Sequence, residues 1–279
     1  MGVVINDVNT LGYVTGDSSY TGVVQILFNE VSGSGTYVCS GALVSPTQVL
    51  TAGHCVSGAD DWSVTFQTPS GTTVMGVSGS VLDPLFRPMP SPFDNLDYYD
   101  VGLLTLSSRA PSDAEIYKLN LTLSGFVFGS STVDVVGYGL GGNPSVGYEN
   151  TDLSARQHAQ NTVSFEIDTL NGVPTPDLPL AAFLEFGEGS GGAGLTNGGD
   201  SGSPLLFDDQ IIGVTSFGNL PRPGSGSYQY GVEYLGTFAD IGDPAAGIGS
   251  WVESEIAPEP GTWALVVLGA LALCVRRRS

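Results

Sequence analysis

Short apolar runs rich in valine and other β-branched or aromatic residues recur along most of this chain, separated by Gly, Pro, Asn and Asp. Runs of this kind, bounded by turn-forming residues, are typical of β-strands. The predicted strands are residues 21–28, 41–51, 62–68, 101–106, 131–138, 163–168, 211–217 and 228–238. Because no helical periodicity of useful length lies between them, we predict an all-β sandwich or barrel.

The composition supports a folded, β-rich body. The 40 glycines among 279 residues are about twice the usual share, and the 13% of charged residues is about half of it. Gly-rich turns between many short strands produce this composition, whereas long solvated helices would need more Lys and Glu. A chain of this length can form one large all-β domain or two small ones.

The chain is strongly acidic, with a formal net charge of -20 at pH 7. Such a body repels phosphate backbones, which argues against a nucleic-acid partner. We interpret the charge as favouring solubility in an extracytoplasmic or saline setting. A preference for basic substrates is the alternative.

Residues 1–20 form a separate N-terminal segment in this interpretation. They contain neither a basic start nor an apolar stretch of about 7–15 residues, so they are not a secretory signal peptide. Either export uses another route or the sequence begins downstream of the natural start, and we favour the second.

One short helix is predicted near the carboxyl end of the β-rich body, which we bound at residues 21–256. Asp243 can cap this helix, and Pro244 suits its first helical position. The apolar residues that repeat on one face are Ile248, Trp251, Val252 and Ile256.

The last segment, residues 257–279, carries an uncharged apolar run at 261–275 followed by three arginines. A helix of that length spans about 22 Å, short of the roughly 30 Å of a bilayer's hydrocarbon core. We expect a marginal span or a processing signal that inserts transiently, with the arginines in the cytoplasm and the body on the other side. A buried core helix is the alternative, and the arginines at the chain end argue against it.

Two of the three cysteines, Cys39 and Cys55, lie in the body, and Cys274 lies in the apolar run. The pair suits one disulfide in an oxidising compartment, with two reduced buried thiols as the alternative. A bridge between them would anchor the backbone beside His54, which precedes Cys55 in the chain.

His54 is the candidate general base. Histidine commonly takes this role near neutral pH because its ordinary pKa is about 6.5. The other histidine, His158, lies in a polar stretch. A lone histidine is more often structural, but the adjoining Cys55 favours a catalytic role for His54.

Ser201 is the candidate nucleophile and lies between glycines in the segment 198–202, Gly-Gly-Asp-Ser-Gly. The glycines allow a tight turn and a close approach of substrate. They also let the N–H groups of Gly199 and Ser201 point at a developing oxyanion. Such turns are common on their own, so the segment indicates chemistry only together with His54.

Asp100 is the candidate carboxylate that orients the histidine. It immediately precedes the apolar run 101–106, which would draw it into the protein, whereas Asp94 and Asp97 lie in a polar loop and are expected to be solvated. A buried carboxylate would accept a hydrogen bond from the imidazole Nδ1 and stabilise the imidazolium.

These three residues, in this order and spacing, resemble the catalytic residues of the chymotrypsin/trypsin family, and the resemblance covers about residues 21–256. Cys39 and Cys55 match the disulfide beside the family's histidine. Residues 136–139 resemble its Gly-aromatic-Gly turn in the second barrel. The residues that resemble its substrate-pairing strand are Ser216, Phe217 and Gly218.

The resemblance implies two six-stranded antiparallel barrels with the site between them, His54 and Asp100 coming from the first and Ser201 from the second. It implies an endopeptidase in which Ser201 attacks a peptide carbonyl and forms an acyl-enzyme. We expect protein or peptide substrates, a monomer and no cofactor. No catalytic metal is expected either, since two distant histidines and no cysteine cluster provide no ligand set.

Two features depart from the family pattern. Leu195 replaces the aspartate that selects Lys or Arg at the base of trypsin's specificity pocket, so we expect an apolar preference instead. The family's Ile-Val-Gly-Gly start, whose freed amino group pairs with the carboxylate matched by Asp200, is not seen. A zymogen and a different partner for Asp200 are both open.

The tail resembles the PEP-CTERM sorting signal of Gram-negative bacteria, which combines a tripeptide, an apolar run and arginines. The tripeptide consists of Pro258, Glu259 and Pro260. The resemblance implies that an exosortase processes the tail, and that the body reaches the cell surface, an extracellular matrix or the periplasmic face of the membrane. An ordinary C-terminal membrane anchor is the alternative.

Three functions follow from these residues. The leading one is an active exported serine endopeptidase. The second is a catalytically inactive protease-like binding or matrix protein at the cell surface, which the presence of all three candidate residues disfavours. The third is an esterase, which is weaker because Ser201 does not lie in a Gly-x-Ser-x-Gly segment.

Overall fold

The computed structural model describes residues 3–5, 19–31, 35–88, 97–127, 129–143, 147–150, 153–167, 169–170, 173–174, 181–184, 194–196, 198–218, 236–240 and 247–256. The strands are β1 (Val3–Ile5), β2 (Val23–Glu30), β3 (Thr36–Ser45), β4 (Gln48–Thr51), β5 (Ala59–Thr68), β6 (Gly71–Leu82), β7 (Arg87–Pro88), β8 (Asp97–Tyr98), β9 (Gly102–Leu106), β10 (Lys118–Leu119), β11 (Thr132–Gly137), β12 (Gly141–Asn143), β13 (Gly147–Asn150), β14 (Gln157–Ile167), β15 (Thr169–Leu170), β16 (Val173–Pro174), β17 (Ala181–Leu184), β18 (Gly194–Thr196), β19 (Pro204–Phe207), β20 (Gln210–Gly218) and β21 (Gly236–Asp240). A 3₁₀ turn spans Gly53–Cys55, and the helix α1 spans Ile248–Glu255.

The first half of the chain forms a closed barrel in the strand order β2-β3-β4-β9-β6-β5, with every pairing antiparallel. Its interior is filled by large apolar side chains that are almost wholly removed from water. Among them are Ile26, Leu43, Leu50, Phe66 and Leu103. Burial of such side chains contributes roughly 1.5–3 kcal/mol each.

The second half forms another closed ring of six antiparallel strands, β20-β19-β11-β14-β17-β21, because β21 pairs with β20 as well as with β17. The short strand β10 pairs in parallel with the first two residues of β20, Gln210 and Ile211. The predicted pair of six-stranded antiparallel barrels is therefore confirmed.

Among the differences from the predicted strands, one split strand and one missed strand have clear local reasons. The run 41–51 is not one strand, because Pro46 and Thr47 form the turn between β3 and β4. Strand β6 was not predicted: only Met75 of its 12 residues is buried, so its Gly-, Ser- and Thr-rich sequence shows no apolar alternation.

The N-terminal segment contributes a strand to a small additional sheet. β1 pairs in parallel with β12 and antiparallel with β18, with Val4 opposite Leu195 in the second pairing. A two-residue hairpin strand, β7, pairs with β8 in the long connection before Asp100.

The predicted helix is present as α1 and begins after Gly247, which has a φ of 73°. Ile248 and Val252 are buried, and the Gln48 side chain of the first barrel donates to the Glu255 carbonyl at 2.7 Å. The helix begins at Ile248 with Gly247 at its N-cap, so the predicted start, with Asp243 as cap and Pro244 as first residue, is wrong. Asp243, Pro244 and the whole tail 257–279 lie outside the described residues. Within the part of the chain that the structure describes, no helix has the length and apolar character needed to cross a membrane.

Candidate active site

His54 and Asp100 come together because two neighbouring strands of the first barrel place them at one edge. His54 follows β4 in the 3₁₀ turn, and Asp100 lies two residues before the start of β9. β4 and β9 are paired with Thr51 opposite Gly102, so the chain leaving β4 and the chain entering β9 are adjacent. The predicted association of the two side chains is borne out by this register.

The Asp100 carboxylate holds His54 at two points. His54 Nδ1 lies 2.7 Å from Asp100 Oδ2, and the backbone N–H of His54 donates to Asp100 Oδ1 at 2.7 Å. Only 1% of the Asp100 side chain is exposed. An ionised carboxylate accepts hydrogen bonds and cannot donate them, so this contact assigns the imidazole proton to Nδ1.

Ser216 supplies a third hydrogen bond to the same carboxylate. Its hydroxyl, buried in β20 of the second barrel, donates to Asp100 Oδ2 at 2.6 Å. The sequence predicted Ser216, Phe217 and Gly218 as a substrate-pairing strand and did not anticipate this contact. All three lie in β20 and extend past Val214, the residue opposite the first position of β19.

The Ser201 loop packs directly against the first barrel beside the His54 turn. The backbone N–H of Ser40 donates to the Ser201 carbonyl at 2.8 Å, and Cys55 Sγ lies 3.7 Å from the same oxygen. Gly202 has a φ of 84°, and a Cβ there would overlap the Thr51 hydroxyl and the Ser40 carbonyl. Glycine is therefore required at this position for the two barrels to meet.

Asp200 precedes Ser201 in the same loop and is fully buried. Its Oδ1 accepts the backbone N–H of Gly139 at 2.9 Å, and its carbonyl accepts the N–H of Ser203 at 2.7 Å. A Cβ at Gly137 or Gly139 would overlap the Asp200 carboxyl group. The predicted Gly-aromatic-Gly turn thus has a physical reason, since its glycines make room for Asp200.

Cys39 and Cys55 form the predicted disulfide, which anchors the turn that carries His54. The two sulfurs and a ring nitrogen of His54 lie within 4.8 Å of one another, a spacing that suits a bound ion. The ligand of such an ion would be a thiolate, and both sulfurs are already bonded to each other. This cluster is therefore a disulfide beside a histidine and not a metal centre.

Several predicted positions are described only in part. Leu195 lies in β18 with Val4 as its register partner, while its side chain and that of Phe217 are outside the described residues. Gly218 is described by its place at the end of β20. The tripeptide of Pro258, Glu259 and Pro260 is also outside them.

The family model described as Trypsin matches residues 13–235, which is most of the chain. The chain belongs to the trypsin family. A second model, described as the PEP-CTERM protein-sorting motif, matches residues 257–278. This motif indicates export and membrane-associated surface sorting in bacteria, so both resemblances drawn from the sequence are confirmed.

Curated relatives agree with this assignment. A trypsin of Saccharopolyspora erythraea is 28% identical over 197 residues, covering 70% of this chain and 82% of that protein. The thrombin-like enzyme CPI-enzyme 2 of Gloydius ussuriensis is 28% identical over 206 residues, covering 71% and 72%. Membership of a family of serine proteases supports a hydrolase.

Solved structures support the fold. The mouse-brain serine protease neuropsin aligns with a TM-score of 0.62 at 20% identity, covering 86% of this chain and 96% of that one. The structure titled HL collagenase aligns with a TM-score of 0.63 at 19% identity, covering 87% and 96%.

Ser40 is the residue at this site that sequence reasoning missed. It follows Cys39 in β3 and contacts both sides of the Ser201 loop. Nothing in its local sequence indicates this role, because its partners are Tyr138, Gly199 and Ser201, far away along the chain.

Proposed function

We propose that this chain is an exported serine endopeptidase in which Ser201 is the nucleophile, His54 the general base and Asp100 the orienting carboxylate. The observation that carries the proposal is the buried Asp100 carboxylate, which accepts hydrogen bonds from His54 Nδ1, the His54 backbone and the Ser216 hydroxyl. Membership of the trypsin family and the packing of the Ser201 loop beside the His54 turn support it.

The first half of the reaction transfers the acyl group of a peptide to the enzyme. Ser201 Oγ attacks the peptide carbonyl carbon while His54 Nε2 takes the hydroxyl proton. The carbonyl oxygen becomes an oxyanion that accepts from the N–H groups of Gly199 and Ser201. Collapse of this intermediate breaks the C–N bond, His54 returns the proton to the leaving amine, and an ester to Ser201 remains.

The second half repeats these steps with water. His54 Nε2 removes a proton from a water molecule, whose oxygen attacks the ester carbonyl, and the same two amides hold the new oxyanion. Collapse releases the carboxylic acid and restores the Ser201 hydroxyl. Asp100 stays ionised throughout, because its charge stabilises the imidazolium that forms twice in each cycle.

The substrate preference proposed from Leu195 is apolar. A leucine side chain at the base of the specificity pocket gives no negative charge to pair with Lys or Arg. The relatives' names, among them trypsin and a thrombin-like enzyme, describe those proteins and do not carry over to this pocket.

We propose further that an exosortase recognises the tripeptide of Pro258, Glu259 and Pro260 and processes the tail. Transient insertion of the apolar run would leave the protease body at the cell surface, in the extracellular matrix or on the periplasmic face of a Gram-negative bacterium. The match to the sorting motif over residues 257–278 supports this route. We propose that the body acts as a monomer.

Covalent labelling with a fluorophosphonate probe tests the chemistry. The unchanged chain is expected to react at Ser201, and Ser201→Ala is expected to lose both labelling and peptide cleavage. Ser203→Ala is the matched control, because it removes a buried hydroxyl only two residues after Ser201. That hydroxyl lies 2.7 Å from the hydroxyl of Thr215. An unchanged chain that binds peptides but never reacts with the probe would favour the inactive binding protein.

Cleavage mapping with a diverse peptide pool and mass spectrometry tests the specificity. Cuts should follow apolar residues, and Leu195→Asp should move the preference toward Lys and Arg. Cuts confined to Lys and Arg in the unchanged chain would contradict the assignment of Leu195. The same mass spectra, recorded on protein exported by a bacterium that processes such tails, give the mature termini. They show whether the tail is removed.

A further inference from the structure

The Ser40 hydroxyl is a buried polar group that the proposed reaction does not use directly. Ser40 is fully buried. Its Oγ lies 2.9 Å from the backbone nitrogen of Tyr138 and 2.9 Å from the carbonyl oxygen of Gly199. One hydroxyl of the first barrel thus contacts two separate segments of the second.

The direction of both hydrogen bonds follows from chemistry. A backbone N–H only donates and a carbonyl only accepts, so Ser40 Oγ accepts from Tyr138 and donates its single proton to Gly199. The donor has no alternative orientation that keeps both contacts. The hydroxyl is therefore a directional link and sets where the Gly199 carbonyl points.

Ser40 also holds the carbonyl two residues further on. Its backbone N–H donates to the Ser201 carbonyl at 2.8 Å. Two alternate carbonyls of the nucleophile loop, those of Gly199 and Ser201, are thus fixed by one residue. Between them, the Asp200 carboxylate accepts a hydrogen bond from the backbone N–H of Gly139.

The peptide before Gly199, which carries its N–H, is held within the second barrel, because the Leu140 N–H donates to the Gly198 carbonyl at 2.8 Å. Gly199 itself needs a further constraint on the peptide that follows. It has a φ of 97°, a conformation that other residues rarely adopt, and glycine can leave it for other regions at little cost. A rotation about Gly199 would redirect its carbonyl and the peptides that follow, and would change the alignment of the Gly199 and Ser201 N–H groups that the proposed oxyanion hole uses.

We propose that the Ser40 hydroxyl is a positioning group for the oxyanion hole. From the opposite barrel it fixes the peptide that follows Gly199, and so the alignment of the Gly199 and Ser201 N–H groups. The inference rests on the proposed function, because it assigns a role within that active site. Ser40 acts through Gly199 and does not touch the substrate.

The test variant is Ser40→Ala, which removes Oγ but keeps the backbone hydrogen bond to Ser201. The matched control is Ser45→Ala, the same change in the same strand, since Ser45 is also buried and its hydroxyl bonds to Gln48 at 3.2 Å. Both variants lose one buried hydroxyl, so a general loss of stability affects both.

Steady-state kinetics with a peptide amide give the first readout. For Ser40→Ala we expect kcat to fall about tenfold to a hundredfold, below the roughly 10²–10³-fold that follows removal of an oxyanion donor itself, with KM within about twofold. Ser45→Ala should keep the unchanged kcat, and Ser40→Thr, which retains a hydroxyl, should restore most of it.

Inhibitor binding gives a readout that a merely structural role would not move. A peptide aldehyde forms an oxyanion with Ser201, whereas the peptide alcohol of the same sequence does not. Ser40→Ala should weaken aldehyde binding by the factor seen in kcat and leave alcohol binding unchanged. Equal loss for both inhibitors, or an unchanged kcat, would overturn the role of Ser40.

The outcomes separate this inference from the proposed function. An unchanged chain that neither labels nor cleaves peptides contradicts the protease assignment, and the role of Ser40 falls with it. An active chain whose Ser40→Ala variant matches Ser45→Ala contradicts the role of Ser40 alone. If Ser40→Ala cannot be purified, a stable Ser40→Thr that loses kcat contradicts it as well.

Discussion

The two histidines of this chain each pair with an aspartate at almost the same distance. His54 Nδ1 lies 2.7 Å from Asp100 Oδ2, and His158 Nε2 lies 2.8 Å from Asp134 Oδ1. The carboxylates differ in their contact with water, because Asp134 keeps 20% of its side chain exposed and Asp100 only 1%. One pair belongs to the proposed active site and the other to the outside of the second barrel.

The difference lies in what surrounds each pair. Asp100 is held by a backbone N–H and a buried serine hydroxyl, and it contacts Nδ1, the nitrogen opposite the one through which the proposed mechanism transfers protons. The second pair uses Nε2 for its aspartate, and the hydroxyl of Tyr20 lies 3.2 Å from the same nitrogen. A short His–Asp distance therefore does not distinguish the two pairs; they differ in the ring nitrogen used and in the burial of the carboxylate.

The second pair has a structural use. The rings of Tyr20 and His158 are 4.8 Å apart, so the segment that enters β2 packs on a histidine of β14. The Gln160 amide also donates to Asp134 Oδ1 at 3.0 Å. These contacts join the start of the first barrel to the wall of the second.

Exchanging each aspartate for asparagine gives the sharpest test of the comparison. Asp100→Asn should lower kcat by about 10⁴-fold, because the amide can donate to Nδ1 and favours the wrong imidazole tautomer. Asp134→Asn should leave kcat within about twofold. Peptide cleavage assayed on both purified variants measures the effect, and comparable losses in the two would mean that the pairs are not functionally distinct.

The sequence was sufficient to predict that the two residues of the first pair lie together. His54, Asp100 and Ser201 could be chosen from their neighbours, since a cysteine, an apolar run and flanking glycines respectively mark them. The two barrels followed from the family resemblance. The second pair, His158 and Asp134, which we call the surface pair, could not be predicted from the sequence. The two side chains are brought together by the β11–β14 pairing, in which Asp134 lies opposite Gln160, two residues after His158.

Contacts between the barrels were beyond sequence reasoning for the same reason. The hydroxyls of Ser40 and Ser216 each cross from one barrel to the other, and their partners are set by packing rather than by neighbouring residues. Strand β6 was missed because its faces are mostly exposed and carry no apolar period.

The hydroxyls beside the two pairs allow an intermediate test. Ser216→Ala removes a hydrogen bond to a buried carboxylate, a contact worth about 1.5 kcal/mol or more, so kcat should fall about tenfold. The Ser216 backbone is unchanged, and KM should stay nearly constant. Tyr20→Phe, which removes the hydroxyl beside His158, should not alter kcat. The two kcat values are compared under one set of conditions, and a fall in the Tyr20 variant would break the comparison.

The smallest expected effect is that of Asp134 on the free energy of unfolding. Its dependence on pH distinguishes the surface pair. Partial burial acts to raise the pKa of Asp134, but hydrogen bonds from His158 and Gln160 outweigh it and hold that pKa below its ordinary value. A carboxyl group with a lowered folded-state pKa stabilises the protein above its ordinary pKa of about 3.9, and this contribution disappears as the pH falls through the folded-state value.

The unchanged chain should therefore exceed Asp134→Asn in free energy of unfolding at neutral pH, and the gap should narrow below about pH 4. Urea titrations of both chains at pH 7 and pH 3 measure it, and the other acidic groups cancel in the difference. A gap that stays constant with pH would show that the surface pair stabilises the fold by packing alone. Because Asp134 remains partly hydrated, we expect Asp134→Asn to change the free energy of unfolding only slightly. Asp100→Asn is expected to have a large effect, and that effect is on kcat.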